Sequence, residues 1–162
     1  MTLAEDPVIR EATIDDIDAL AELERNSFRG DLLSRRQFRY LLTRGHALTL
    51  VETRRGRLRG YLLLVFRSNA TVARIYTIAV AATDRRRGVG AALLAAGEKA
   101  ARRRGCDRVR AEVRSDNRAS LALFERRGYR RFGGYRGYYA DGQDAARVEK
   151  RIMARAGRAG KR

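Results

Sequence analysis

Two hydrophobic periods succeed one another along this chain, and each change of period marks the edge of an element. Val8 to Glu11 alternates as a short strand. Thr13 then has the chemistry of a helix cap. Asp15 and Asp16 fall in the first turn behind it, and Ile17, Leu20, Ala21 and Leu23 recur at helical spacing. A loop over residues 26–33 contains Gly30, and Ser34 caps a second predicted helix carrying Phe38, Leu41 and Leu42. Residues 47–52 and 58–66 are strand-like runs around Arg54-Arg55-Gly56-Arg57, the pattern of a hairpin. The next strand, Val72 to Val80, is rich in β-branched and aromatic residues. A long helix is predicted from about Gly90 to Arg104, with Leu93, Leu94, Ala96, Ala100 and Ala101 available for burial. Arg102, Arg103 and Arg104 suit its negative end, and Gly105 stops it. Residues 108–113 form a strand, 117–127 a helix ended by Gly128, 129–135 a strand, and 145–152 the last strand after a loop rich in Gly and Tyr. The order β-α-α-β-β-β-α-β-α-β-β predicts an α/β (α+β) fold. Its mixed sheet has about seven strands, with four helices on both faces.

Length and composition bound this picture. The 162 residues suit one domain over residues 1–153, followed by a tail at 154–162 of small and basic residues, expected to be disordered. Hydrophobic residues make up 44% of the chain, enough for a buried core and too many for a disordered polycation. The formal net charge is +17, carried almost wholly by arginine, which favours anionic partners such as nucleotide-bearing cofactors, nucleic acid or acidic peptides. An arginine excess this uniform is also what biased codon usage produces. No apolar run is long enough to span a membrane, and the first residues lack the pattern of a signal peptide. One cysteine, Cys106, and one histidine, His46, make neither an internal disulfide nor a Cys/His metal site. These features point to a cytoplasmic protein without a metal. Cys106 reads as a small buried residue and His46 as structural.

The candidate chemistry gathers where the strand ending at Val80 gives way to the long helix. There the chain reads Arg85-Arg86-Arg87-Gly88-Val89-Gly90-Ala91. Glycines let a backbone approach a ligand closely, a helix N-terminus attracts anions, and the arginines add charge. A pyrophosphate fits such a turn. So does a plain solvated loop. The spacing is neither a Walker loop nor a dinucleotide fingerprint, which needs a third glycine where Leu93 stands.

Three blocks in order resemble the GNAT superfamily of N-acetyltransferases, and most of all the bacterial enzymes that acetylate the N-terminal alanine of a ribosomal protein and their relatives acting on protein N-termini. They are Ile78-Ala79-Val80 with the Arg85–Gly90 loop, Glu112-Val-Arg-Ser-Asp-Asn117 leading into Ala122-Leu-Phe-Glu-Arg-Arg-Gly-Tyr129, and Tyr138-Tyr-Ala-Asp-Gly-Gln-Asp-Ala145. The resemblance covers about residues 8–152. It implies acetyl-coenzyme A as cofactor, with its pantetheine arm in a gap where the fourth and fifth strands splay apart. Ile78, Ala79 and Val80 would then hold that arm, the Val80 N–H would polarise the thioester carbonyl, and Arg85 to Ala91 would hold the phosphates. Asn117 matches an asparagine that contacts the cofactor; a simple helix cap reads equally well from the residues. Glu112 matches the carboxylate that serves as general base, against the alternative of a strand carboxylate paired with an arginine. Tyr138 and Tyr139 match loop tyrosines that grip the substrate backbone, with Phe28, Asp31 and Leu32 on the opposite wall.

One position departs from the pattern. Where the family carries a tyrosine as presumed general acid, this chain has Phe124, which cannot donate a proton. Tyr129, Tyr138 and Tyr139 are the remaining candidates. The reading that follows is transfer of an acetyl group to the N-terminal amine of a protein, a ribosomal-protein-like substrate, by direct attack in a ternary complex. Alternatives are acetylation of lysine or a small amine, and a non-catalytic basic module binding RNA or the ribosome. Nucleic acid is otherwise expected to bind only through non-specific charge.

Overall fold

The apolar run Tyr61–Phe66 becomes part of a strand buried on both of its faces. In the structure, a computed structural model describing residues 6–153, Tyr61, Leu62, Leu63 and Leu64 are all inaccessible to solvent. The strands are β1 (Val8–Glu11), β2 (Ala47–Arg54), β3 (Arg57–Phe66), β4 (Val72–Val80), β5 (Arg108–Arg114), β6 (Arg130–Tyr135) and β7 (Ala145–Arg151). The helices are α1 (Ile17–Ser27), α2 (Arg35–Thr43), α3 (Val89–Arg103) and α4 (Arg118–Arg126). Their order is the predicted one. The strands form a seven-stranded mixed sheet in the order β1-β2-β3-β4-β5-β7-β6. β4 pairs with β5 in parallel, Val72 to Ile75 facing Arg108 to Ala111, while the β1–β2, β2–β3, β5–β7 and β6–β7 pairs are antiparallel. The basic tail at 154–162 lies outside the described residues.

Two compact units divide the chain, one from Met1–Val65 and Tyr76–Gly97, the other from Phe66–Ile75 and Glu98–Arg162. In the first, alternation along β3 sends Tyr61 and Leu63 into a core with Ile17, Leu20 and Leu23 of α1 and Phe38 of α2. Leu62 and Leu64 point the other way, toward α3. A side chain at Gly97, in the middle of α3, would collide with Leu62 Cδ2. The glycine costs that helix about 1 kcal/mol of propensity relative to alanine and permits the close approach. With helices against both faces, β3 reads as a continuous apolar run.

Two local features differ from the simplest reading of the pattern. The turn after Thr13 is 3-10 (Ile14–Asp16) before α1 begins at Ile17. Asp16 accepts the Thr13 N–H at 2.7 Å and both Arg10 nitrogens at 2.7 and 2.9 Å, which tightens that turn. The β2–β3 hairpin closes on two residues, Arg55 and Gly56, both at positive φ, so both strands run longer than the four-residue turn suggested.

In the second unit Val109, Ala111 and Val113 of β5 face the buried side with Ala146 and Val148 of β7. Between them on β5, Arg108, Arg110, Glu112 and Arg114 take the opposite, partly exposed face. Phe124 of α4 packs edge-to-face on Tyr129 at 5.0 Å, and the Tyr129 hydroxyl donates to the buried Glu98 at 3.0 Å. Lys150 holds the other oxygen of Glu98 at 2.9 Å. Cys106 is buried, as expected, and burial pushes its thiol pKa up. His46 is exposed at the turn before β2, so it has no structural role in the core.

Candidate functional site

In the first unit, the loop from Val80 to α3 has the geometry its glycines suggested. A 3-10 turn (Ala82–Asp84) leads into Arg85, and Arg86 and Gly88 both take positive φ, +64° and +81°. Left-handed residues in a turn are what backbone anion nests are built from. At Gly88 a side chain would meet nothing within 4 Å, so glycine stands there for its conformation. The α3 ladder opens with Ala92 donating to the Gly88 carbonyl at 3.0 Å, and the N–H groups of Val89, Gly90 and Ala91 precede it. Arg85, Arg86 and Arg87 are exposed around these donors. Backbone donors, a helix N-terminus and three free-standing cations suit the pyrophosphate of coenzyme A. Ile78 and Val80 are half-buried, whereas Ala79 turns its side chain into the core and leaves only its backbone for a ligand.

Beneath the loop lies a buried charge cluster. Arg59, 4% exposed, grips Glu52 with Nε and Nη2 at 2.9 and 2.5 Å, and its Nη1 lies 3.7 Å from Asp84. Asp84 also accepts from Arg57 at 3.0 Å and from the Thr83 hydroxyl at 3.1 Å. Burial opposes ionisation of Asp84, but the Arg57 and Thr83 hydrogen bonds and the two guanidinium charges outweigh it and hold its pKa below the usual carboxylate range. Asp84 is the last residue before Arg85, so this cluster fixes where the Arg85–Gly90 loop begins.

The Phe28–Leu33 loop has an anchor of its own. Glu24, 3% exposed, accepts the Leu33 N–H at 2.8 Å and the Tyr61 hydroxyl at 2.5 Å. Burial, then the Glu24 charge, push the Tyr61 pKa far up, so the phenol stays a donor. Asp31 sits at φ +55° and Leu32 is exposed, while Phe28 packs on the core. Asp31 and Leu32 therefore present a firm exposed surface.

The second unit brings Glu112, Tyr138 and Tyr139 together around Arg74. The Glu112 carboxylate is 10% exposed and accepts from Arg74 Nε at 3.0 Å, with Arg147 Nε at 3.9 Å from its other oxygen. Arg74 Nη2 donates to the Tyr138 hydroxyl at 2.9 Å. Tyr138 meets Tyr139 edge-to-face at 5.1 Å, and burial, then Tyr138, raise the Tyr139 pKa to about 12. Arg114 stacks on Tyr139 at 4.9 Å and grips Asp141 at 2.6 Å and Asp116 at 3.1 Å, tying the tyrosine loop to the end of β5. Asn117 caps α4, its side chain accepting the Ser120 N–H at 3.1 Å. Phe124 is a packing residue, 2% exposed. Tyr129 is buried and committed to Glu98, and its pKa is driven up by that burial and by Glu98.

Arg74, Glu24, Asp84 and Arg59 are the residues that reading the sequence missed. Glu24 had a visible signal: it falls at i+3, i+4 and i+7 from Ala21, Leu20 and Ile17, on the buried stripe of α1. Arg74 had none, because its partners lie 38 and 64 residues away.

A model of the acetyltransferase (GNAT) family matches residues 15–129. The chain is 29% identical to the N-terminal acetyltransferase A complex catalytic subunit NAA10 of Arabidopsis thaliana over 91% of this chain and 79% of that one. Its structure is similar to the ribosomal-protein-S18-alanine N-acetyltransferase from Escherichia coli, with a TM-score of 0.83 and 26% identity over 94% of this chain and 97% of that one. It is similar to Ard1 from Thermoplasma volcanium at a TM-score of 0.83 and 25% identity, over 91% of this chain and 99% of that one. The chain belongs to the acetyltransferase (GNAT) family and is an acetyl-coenzyme A-dependent N-acetyltransferase.

Proposed function

We propose that the acceptor is the N-terminal α-amine of a protein, of the ribosomal-protein kind, and that it attacks directly in a ternary complex. The observation that carries this is the Arg74 bridge. One guanidinium holds both Glu112, the candidate base, and Tyr138, the candidate backbone grip, so the group that takes the proton and the loop that takes the peptide are set together. An α-amine has a pKa near 8 against about 10.4 for lysine, so a single carboxylate is a sufficient base for it. A relative named as an N-terminal acetyltransferase subunit and a structure named for the alanine of a ribosomal protein support the same reading.

In this mechanism Glu112 takes a proton from the incoming ammonium, the neutral amine attacks the thioester carbon, and the second proton shed by the nitrogen goes to the departing thiolate or to water. Tyr138 and Tyr139 hold the peptide backbone, and Phe28, Asp31 and Leu32 are the first unit's residues for the acceptor. Ile78, Ala79 and Val80 pair with the pantetheine arm through their backbone, and the Val80 N–H holds the carbonyl oxygen where negative charge develops. Arg85, Arg86, Arg87, Gly88, Val89, Gly90 and Ala91 bind the phosphates, and Asn117 adds a cofactor contact to its capping role. When bound, acetyl-coenzyme A supplies an acetyl thioester whose carbon–sulfur bond breaks as the amide forms. Residues 1–153 act as one acetyltransferase domain, in the cytoplasm, where the lone thiol stays reduced.

The test is a panel of peptides with free N-termini, N-blocked lysine peptides and polyamines, incubated with acetyl-coenzyme A and mapped by mass spectrometry. Acetylation at α-amines is expected. Acetyl groups on lysine or polyamine alone would overturn the proposal.

A further inference from the structure

Resting on that reading, we infer that the acceptor is a polypeptide with acidic side chains a few residues beyond its reactive amine, bound on the exposed face of β4, β5, β7 and β6 in the second unit. Arg74, Arg110, Arg130 and Arg147 stand on this face by the strand registers, opposed only at its centre by Glu112 and Glu149. Glu149 is engaged with Arg110 at 2.5 Å and lies 3.8 Å from Arg108, and Glu112 is engaged with Arg74. The face therefore keeps a cationic surplus beside the carboxylate that receives the amine.

Its aromatic residues sharpen the assignment. The register shift between Arg131 and Gly133 turns Phe132 onto this face, where Arg110 and Arg147 stack on its ring at 4.8 and 4.7 Å. Arg147 also lies over Tyr135 at 4.7 Å, and Tyr135 stacks on Tyr138 at 5.4 Å. Phe132, Tyr135 and Tyr138 remain 41–44% exposed. A guanidinium laid on a ring loses little further freedom on binding, and with Arg110 Nε on Glu149 and Arg147 Nε buried, the Nη groups are those left for an incoming carboxylate. Arg110 lies two residues along β5 from Glu112, about 7 Å at the usual strand rise. An extended acceptor with its amine at Glu112 and its chain running toward Arg110 would thus bring side chains a few residues downstream over Arg110 and Arg130, which share one register position, while Arg147, the cross-strand partner of Glu112, stands beside the amine. Single-stranded nucleic acid fits less well. Base stacking needs open ring faces, and the Phe132 ring is already covered by arginine. A phosphate at every residue would also press one against Glu112.

The test compares three peptides sharing their first two residues, with Asp/Glu, Ser/Gly or Lys at positions three to six. The expected order of kcat/KM at low salt is acidic over neutral over basic, spanning tenfold or more and shrinking as salt is raised. Arg110→Glu should move the preference toward the lysine peptide, while Arg110→Gln should flatten it and leave the neutral peptide within about threefold of wild type. Equal rates for the three peptides, with the neutral one acetylated at its α-amine, would overturn this inference and leave the N-terminal reading intact. So would an acidic preference that persists undiminished in Arg110→Glu, or inhibition by single-stranded RNA that Arg110→Glu relieves. No α-amine product from any peptide would overturn the reading itself, and the inference with it.

Discussion

Changing Glu112 to Gln separates catalysis from ion pairing, because the two roles differ in magnitude by orders. The substitution keeps the side-chain volume and one acceptor oxygen but removes the base. A positioned general base contributes about 10²–10⁴-fold, or roughly 3–5.5 kcal/mol of barrier. As a plain ion pair with Arg74, whose side chain is 43% exposed, Glu112 contributes about 0–1 kcal/mol, which changes a rate by no more than about fivefold. The assay is single-turnover rapid quench at saturating peptide and acetyl-coenzyme A, from pH 6.5 to 9.5, with coenzyme A affinity measured separately. We expect a loss of about 100-fold or more at pH 7 and unchanged coenzyme A affinity. The deficit should narrow as pH passes the α-amine pKa near 8, where the nucleophile arrives neutral. A variant rate within about fivefold of wild type at pH 7, with chemistry limiting, refutes the role. A deficit independent of pH would mean that the lost carboxylate had acted only through the position of Arg74 and Tyr138.

Three further outcomes are expected. Gly88→Asp should still fold, since its side chain meets nothing within 4 Å and the strain of a side chain at φ +81° costs only about 1–2 kcal/mol, yet lose coenzyme A binding by calorimetry because a carboxylate enters the proposed phosphate loop; undiminished affinity would move the phosphate elsewhere. Tyr138→Phe and Tyr139→Phe should raise the peptide KM with kcat largely kept, as loss of grip requires, and a tenfold fall in single-turnover rate at saturating peptide would instead make either tyrosine a proton donor. Asp84 has its folded pKa depressed, so its contribution to stability is complete above the unfolded value of about 3.9 and is lost as pH falls through the lower folded value; Asp84→Asn should lower Tm at pH 7 by roughly 10 °C and flatten the fall in Tm between pH 5 and 3, and an unchanged acid slope would contradict the sign.

How much was legible follows from the range of the interactions. The α2 start was readable because Ser34 and Gln37 complete a capping box within four residues, with Gln37 N–H on Ser34 Oγ at 3.1 Å and Ser34 N–H on Gln37 Oε1 at 2.8 Å. The turn of the Arg85–Gly90 loop was readable because its information is also local, in Gly88 and the start of α3. What the sequence could not reveal there is that Arg86 shares the positive φ, since nothing in an arginine advertises a left-handed backbone. The supports beneath the candidate site were hidden for the opposite reason. Arg59, Glu52 and Asp84 are three charged residues in strand and turn, and pattern reading assigns such residues to solvent. They are buried because each neutralises another across the β2–β3 hairpin and the turn after β4, a fact of tertiary pairing. Glu112 shows the same limit: its residue type and block suggested a role, but only the fold supplied Arg74.

The question left by Phe124 is how the thiolate departs. The structure narrows the choice by exclusion and by energy. The Phe124 ring is buried against Tyr129, so a hydroxyl added to it would enter an apolar contact and cost about 1–3 kcal/mol unless it found a partner. Tyr129 spends its own proton on Glu98 and, with its pKa driven up, is poorly disposed to give it away. Tyr139, raised to about 12, would transfer a proton to a thiolate of pKa about 8.5 against a gradient of more than three decades. Tyr138 differs in kind. Its oxygen already accepts from Arg74, which leaves its own hydrogen free to point elsewhere, toward a peptide carbonyl as readily as toward sulfur. A thiolate of that pKa is a competent leaving group, whereas an extended peptide has carbonyls that must be held. Economy of chemistry therefore assigns the Tyr138 hydrogen to the substrate backbone, and lets the sulfur leave on its own acidity.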